Sequence, residues 1–250
     1  MFCKGERPMK KLLQVEFYKL RRSKIILITT ILTLFALFQG WMFAKMDRTE
    51  GVEDVFRAFL YQGSIAVYSW LILPLIITIV LAMMARMEHS NNSWKQLLSL
   101  PVEKEKVYIS KLLVGMGIIL YSLVLLYVGM VLAAYLLGLD EIPFLWITER
   151  FMIMFLSSLG ITGVIFYLSY QFSHFGVPMV MGAGLAFPSM LVANSEKYWI
   201  FYPWDYPIVS SLNHVFDMSG KNLIMLIVSI FLFLLTICIG FLRFRTKDVL

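Results

Sequence analysis

Six apolar runs, each about as long as a bilayer is thick, decide what this chain can fold into. They cover residues 25–43, 65–85, 112–137, 151–170, 177–193 and 223–242. A hydrocarbon core of about 30 Å is crossed by roughly 20 helical residues rising about 1.5 Å each. The runs are continuous rather than alternating, which excludes the strand pattern of a lipid-facing barrel. With 60% apolar and only 15% charged residues in 250, a soluble domain would have no interior large enough to hide them. The expectation is an all-α integral membrane protein with six transmembrane helices. Residues 1–24 are expected to form an N-terminal amphipathic interfacial helix, and 25–250 the six-helix domain.

The distribution of positive charge gives the orientation. With the N-terminus in the cytosol, sixteen of the twenty-two Lys and Arg residues fall on the inner side, and Lys45, Arg48, Arg57, Arg150, Lys197 and Lys221 fall outside. That asymmetry puts both termini inside, in a multi-pass membrane protein. The net charge of +6 is thereby explained as membrane orientation. It is split among three segments with no nucleic-acid-binding module around them, so nucleic acid is not an expected partner. Cys3 and Cys238, on the inner side and within a span, imply no disulfide. The first run is too long for a signal sequence and lacks a small-residue cleavage site, so it is expected to remain.

The chemistry missing from the spans is equally informative. An ionisable residue at mid-span costs about 2.5–3.5 kcal/mol on insertion scales and normally marks a function. None lies in the middle of any run, which argues against a carrier driven by protons or sodium. His89, His174 and His214 are scattered, no HExxH pair occurs, and Ser169, Ser173 and His174 have no orienting acid nearby. No catalytic and no metal-binding residue is assigned. No GxxxxGK[ST] phosphate loop is present, since Gly220-Lys221-Asn222 lacks both the upstream glycine and the following Ser or Thr. The chain itself is expected to bind no cofactor, so any ATP and Mg would sit on a partner.

Two polar pieces lie on the inner side. In the loop 86–111, Asn92 or Ser93 can cap a short helix in which Trp94, Leu97 and Leu98 recur at i, i+3 and i+4, ended by Pro101. That stripe fits either the lipid headgroup region or a groove on a cytosolic protein. The second piece, PMKKLLQVEFYKLRRSK, places Met9, Leu12, Leu13, Phe17 and Leu20 on one helical face with a basic rim. Glu16 falls among the apolar residues. A carboxylate is costly there, so it is expected to meet a cation of the inner loop, with Arg86, Lys95 and Lys111 as candidates.

On the outer side, 194–221 gathers Tyr198, Trp199, Phe201, Tyr202, Trp204 and Tyr206, interrupted by Pro203 and Pro207, as an aromatic belt would. The fifth run carries Pro178, Gly182, Gly184 and Pro188. Its small residues suit close helix packing or a dimer interface, and Pro188 suits a kink. Residues 45–62 read as a short amphipathic helix at the outer surface, a lid or a lipid anchor. Gln39, Ser69, Tyr121, Tyr127, Tyr167 and Tyr170 are candidates for a translocation surface.

Taken together, VEFYKLRRSKI before the first span, EHSNNSWKQLLSLPVEKEKVYISKLL between the second and third, YPWDYP before the sixth and the tail FLRFRTKDV resemble the permease subunits of ABC-2-type exporters. The resemblance is strongest to the bacitracin and lantibiotic immunity type and spans essentially the whole chain. It implies that the inner loop is a cytosolic coupling helix seated on a separate ATP-binding subunit, with Glu88, Trp94, Lys95, Leu97, Leu98 and Pro101 as contact candidates. It also implies an outer gate of short helices dipping back into the bilayer, built around Tyr202, Pro203, Trp204, Tyr206 and Pro207. The implied assembly has two ATPase subunits and a second permease, identical or related, and exports an amphipathic or peptidic antimicrobial. Exporters of lipid, sodium or small drugs would use the same parts. A membrane regulatory or assembly protein with a non-ATPase partner is the competing reading.

Overall fold

A computed structural model describes residues 9–21, 23–46, 55–89, 104–139, 142–172, 174–195, 197–212 and 222–246. Every regular element among them is helical. Helix α1 is Met9–Arg21 and α2 is Ile25–Met46. Helix α3 begins with π-helical Phe56–Tyr61, becomes α-helical over Gln62–Val67, widens again over Tyr68–Ile72 and finishes as Leu73–His89. Then come α4 (Lys104–Leu136), α5 (Phe144–Ser157), α6 (Leu159–Gln171), α7 (Gly176–Ala186) and α8 (Ser189–Ala193). Two 3-10 turns, Trp199–Phe201 and Pro203–Asp205, lead into α9 (Tyr206–Ser211), and α10 (Asn222–Thr246) closes the described chain.

Among the described residues, five helical segments are long and apolar enough to cross a bilayer: Ile25–Lys45, Gln62–Glu88, Lys104–Leu136, Phe144–Gln171 and Asn222–Arg245. The fifth apolar run is different. It is divided into α7 and α8 at Phe187 and Pro188, and the eleven residues of α7 rise only about 16 Å. Pro188 has no N–H to give and its ring opposes a continuous helix, so the break follows from the residue.

The ends of the other helices also have local causes. At the α1–α2 corner the Ser23 hydroxyl donates to the Leu20 carbonyl at 2.8 Å and accepts from the Ile25 N–H at 3.4 Å. Helix α4 stops at Gly138, whose φ of 66° is left-handed. There Gly138 N–H bonds Tyr135 O and Leu139 N–H bonds Ala134 O, the paired closure of a Schellman end. Between α5 and α6 the chain loosens at Ser158, and Ser229 of α10 repairs it. Its hydroxyl donates toward the Leu156 and Ser157 carbonyls and accepts from the Gly160 N–H.

Helix α3 is the hub, packed against α2, α4, α6 and α7, and 67% of its most apolar window is buried. Helix α10 lies at the periphery with 17% buried, although it packs extensively on α6. The crossing of α2 with the start of α3 is unusually close. A methyl group on Gly40 would overlap the Ser64 hydroxyl and backbone amide, and one on Gly63 would press on Gly40. This packing also corrects the reading of residues 45–62. Phe56, Leu60 and Tyr61 are buried against α2, because their apolar spacing continues the stripe of α3, and the described part is the first turns of that helix rather than a separate surface helix.

Contacts at the helix ends show which of them share one end of the bundle. The end of α3 and the start of α4 meet α1 there. The end of α6 joins them, with Arg243 of α10 5.8 Å from the Tyr167 ring, and Arg245 near the end of α10 lies 3.7 Å from Glu105 near the start of α4. Phe175, just before α7, sits 5.4 Å from the Arg86 guanidinium.

Candidate functional site

The inner loop leaves α3 at His89 and returns at Lys104. Trp94, Lys95, Leu97, Leu98 and Pro101 lie outside the described residues. What the structure describes is the base on which that loop stands. One face of α1 is turned to the bundle there, with Leu20 and Glu16 buried and Met9, Leu12 and Leu13 partly so. Phe17, expected on this face, is instead exposed, because α1 is turned so that Glu16 points inward.

Glu16 is met by Lys111. The ammonium of Lys111 lies 2.9 Å from Glu16 Oε1 and 2.7 Å from Glu88 Oε1. Lys19, one turn along α1, completes a ring at 2.8 Å from Glu88 Oε1 and 3.3 Å from Glu16 Oε1. Two carboxylates alternate with two ammoniums, so the ring has no net charge. Lys111 is 1% exposed, Glu88 2% and Glu16 7%. Each such ion costs several kcal/mol to desolvate alone, and only close, hydrogen-bonded pairing offsets that cost. The ring therefore fixes α1 to both stems of the inner loop at once.

Lys19 is the more accessible member. Burial by itself lowers its affinity for a proton, but the hydrogen bond to Glu88 and the charges of Glu16 and Glu88 outweigh this and hold the ammonium above its usual range. Arg86, the other described candidate partner for Glu16, is directed toward Phe175. Glu88, which the resemblance implies as a contact with an outside subunit, has its carboxylate turned inward to two lysines, one on each neighbouring helix.

Aromatic packing stiffens this end. Tyr108 of α4 stacks edge-on against Phe166 at 5.0 Å and Phe241 at 6.0 Å, while Phe166 lies 4.7 Å from Tyr170. Gly240 of α10 makes room for the Tyr108 hydroxyl, which donates to Ile237 O at 3.4 Å.

At the opposite end, Trp199, Trp204 and Tyr206 are inserted into the bundle, whereas Tyr198 and Phe201 stay on its surface. Trp199, Trp204 and everything from Asp205 to Leu212 are buried, with α9 packed chiefly on α5. Trp204 Nε1–H donates to Gly182 O at 3.1 Å and Tyr202 OH to Leu185 O at 2.7 Å, tying the turns to α7. Tyr61 OH donates to Ser211 O at 2.9 Å, and the Ser157 and Ser210 hydroxyls are 3.0 Å apart. Pro203 and Pro207 open the second turn and α9, where a missing N–H costs nothing.

Elsewhere the polar groups of the spans are used up in packing. Ser69 and Thr78 donate within their own helix to Ile65 O and Pro74 O, and Tyr68 of α3 pairs with Ser122 of α4. The candidate translocation residues are dispersed: Tyr121 sits on an exposed face beside Thr30, Tyr127 against Phe151, Ser69 in the core and Tyr170 near the ring. Among the described residues, no group of three His, Cys, Asp or Glu side chains is placed to hold a metal.

Sequence reasoning located Glu16 and the loop but not Lys19, which spacing alone puts on the polar rim, nor Asp205 in the inserted segment. A four-carbon stem lets Lys19 reach back across the face, and a composition window does not register that reach.

The model of one protein family, described as ABC-2 family transporter protein, matches residues 12–189. No curated protein matches the chain. The matched stretch starts within α1, takes in the ring and the inner loop, and ends at α8, more than half of the chain, so the protein belongs to the ABC-2 transporter family as a membrane permease component.

Proposed function

We propose that this chain is the transmembrane permease of an ATP-driven exporter, and that its inner loop is the seat of a separate ATPase subunit. Permeases of this family generally work with such a partner. The observation that carries the reading is the buried ring of Glu16, Lys19, Glu88 and Lys111, which joins both stems of the loop to α1. A loop that only rested in headgroups would need no such foundation. A loop pushed by a motor does, since force is transmitted only through parts that do not yield. Trp94, Lys95, Leu97, Leu98 and Pro101 are the contact residues, and Glu88 acts beneath them.

The chain crosses the membrane six times, the fifth crossing being the broken pair α7 and α8, with both termini on the cytosolic side. The meeting of α1, the end of α6 and the end of α10 at one end of the bundle supports this count. Two permeases and two ATPases form the working unit. The inserted turns and α9 form the outer gate, with Tyr202, Pro203, Trp204, Tyr206 and Pro207 at its hinge. The substrate is an amphipathic or peptidic antimicrobial drawn from the bilayer, as in bacitracin and lantibiotic immunity. The long apolar faces of α2 and α10, with Phe35, Phe38, Phe231 and Leu234 exposed, suit a molecule already dissolved in lipid.

The test is reconstitution with an ABC ATPase that copurifies with the chain. Trp94→Ala and Leu97→Asp are expected to abolish substrate-stimulated ATP hydrolysis and export while leaving expression and folding intact. Full export by a well-folded Leu97→Asp protein would overturn the assignment.

A further inference from the structure

Asp205 ends the second 3-10 turn, is fully buried, and has no hydrogen-bond partner on any other described residue at either Oδ1 or Oδ2. The donors nearest in the chain are already committed. Trp204 donates to Gly182 O, Tyr202 to Leu185 O and Tyr206 to Ile200 O, all backbone carbonyls. An ionised carboxylate in such surroundings would be desolvated with nothing in return, whereas a neutral acid fits.

Among the described residues, no cation of the packed elements supplies the missing charge. Helices α7 and α8 contain no titratable side chain. Helix α6 offers Tyr167 and Tyr170, which lie at the other end of the bundle beside Arg243 and the ring. On α5 are Glu149 and Arg150, the latter stacked 5.5 Å from the Trp146 ring. On α3, Tyr61 and Tyr68 are bonded to Ser211 O and Ser122, Arg57 lies 4.9 Å from the Trp146 ring, and Arg86 and Glu88 are at the other end of the helix; on α10, Cys238 and the arginines are in its last third. The groups that feel Asp205 are the phenols of Tyr202 and Tyr206, both pushed up by burial and then by the carboxylate.

We propose that Asp205 is a proton-binding site whose occupancy follows the seating of residues 199–212. The carboxyl holds a proton while the segment is packed in the bundle. When the segment withdraws, the O–H bond breaks, the electron pair stays on the carboxylate and the proton passes to water.

In the seated state burial drives the carboxyl up to about 9, opposed only by its own backbone N–H. In water an aspartate titrates at about 3.9. The seated form binds the proton more tightly, so seating is fully favoured below the lower value, weakens as pH rises between the two, and changes no further above the upper one. By linkage, the equilibrium for withdrawal rises about tenfold per pH unit within that window. On the reading of this segment as an outer gate, a change of outside pH would bias the gate whatever molecule is carried.

The experiment uses the full chain in nanodiscs, with Cys3 and Cys238 replaced by Ser and Val209→Cys placed on buried α9. Labelling by a water-soluble maleimide is divided by that of a reference protein with Tyr198→Cys, an exposed position, to remove the intrinsic pH dependence of the thiol. The normalised rate is expected to rise about 100-fold from about pH 6 to 8, and Asp205→Asn is expected to flatten it. Infrared spectra near neutral pH are expected to show a protonated-carboxyl band that Asp205→Asn removes. A flat normalised rate in the Asp205 protein overturns the proposal, as does absence of the band. Should Asp205→Asn fail to fold, the titration of the Asp205 protein decides alone.

Discussion

Replacing Lys111 by Met puts the charge ring to a quantitative test. The ammonium is 1% exposed and bridges Glu16 at 2.9 Å and Glu88 at 2.7 Å, so its loss leaves two carboxylates sharing Lys19 alone. Removing one partner from a buried ionic arrangement costs about 3–5 kcal/mol, because the remaining charge is stranded. The double variant Glu16→Gln/Lys111→Met behaves differently. It leaves the Lys19–Glu88 pair, at 2.8 Å, and restores electrical balance. Recovery of at least about 2 kcal/mol relative to Lys111→Met is expected, a coupling within the range seen for residues in one network. Unfolding of the detergent-solubilised protein by dodecyl sulfate titration, followed by helical circular dichroism, measures both. If Lys111→Met were within about 1 kcal/mol of the unsubstituted protein, or the double variant no better than the single one, the ring would not hold α1 to the loop stems.

Further outcomes follow from the same geometry. Because Lys19 is held above its usual range, its contribution is complete below the ordinary lysine value of about 10.4 and is lost as pH rises through the folded value, so α1 should loosen only in strong alkali. Lys19 is partly exposed, so the excess loss relative to Lys19→Met should stay below about 1 kcal/mol in unfolding titrations across that range. Gly40→Ala should cost about 1–3 kcal/mol through the clash with Ser64, whereas Gly117→Ala, with open space around it, should be neutral or slightly stabilising in the same assay. Pro188→Ala should join α7 to α8, detectable as a longer distance between spin labels at residues 180 and 191, and slow export in the reconstituted system.

The helical architecture was legible because unbroken apolar runs of span length admit few alternatives. The fifth run shows the limit of that reasoning, since hydropathy averages over Pro188 and a backbone break does not change the average. Glu16 was legible for the opposite reason. A carboxylate on an apolar face poses a desolvation problem whose solution is a cation, and α4 supplies one in Lys111. The second half of the ring was hidden, because Glu88 and Lys19 are 69 residues apart and look like ordinary polar residues until α1 folds against the loop stems. Asp205 was hidden for a related reason. An aromatic, proline-rich stretch reads equally well as a surface belt or an inserted plug, and only its packing against α5 and α7 decides.

The most direct measurement for the central claim is photocrosslinking from residue 97 in living cells. With a photoreactive amino acid in place of Leu97, the account predicts one dominant adduct, to a protein that mass spectrometry identifies by its Walker motif, and loss of that adduct in Lys111→Met. Adducts to lipid alone, or reaction of position 97 with a membrane-impermeant reagent added outside the cell, would contradict it.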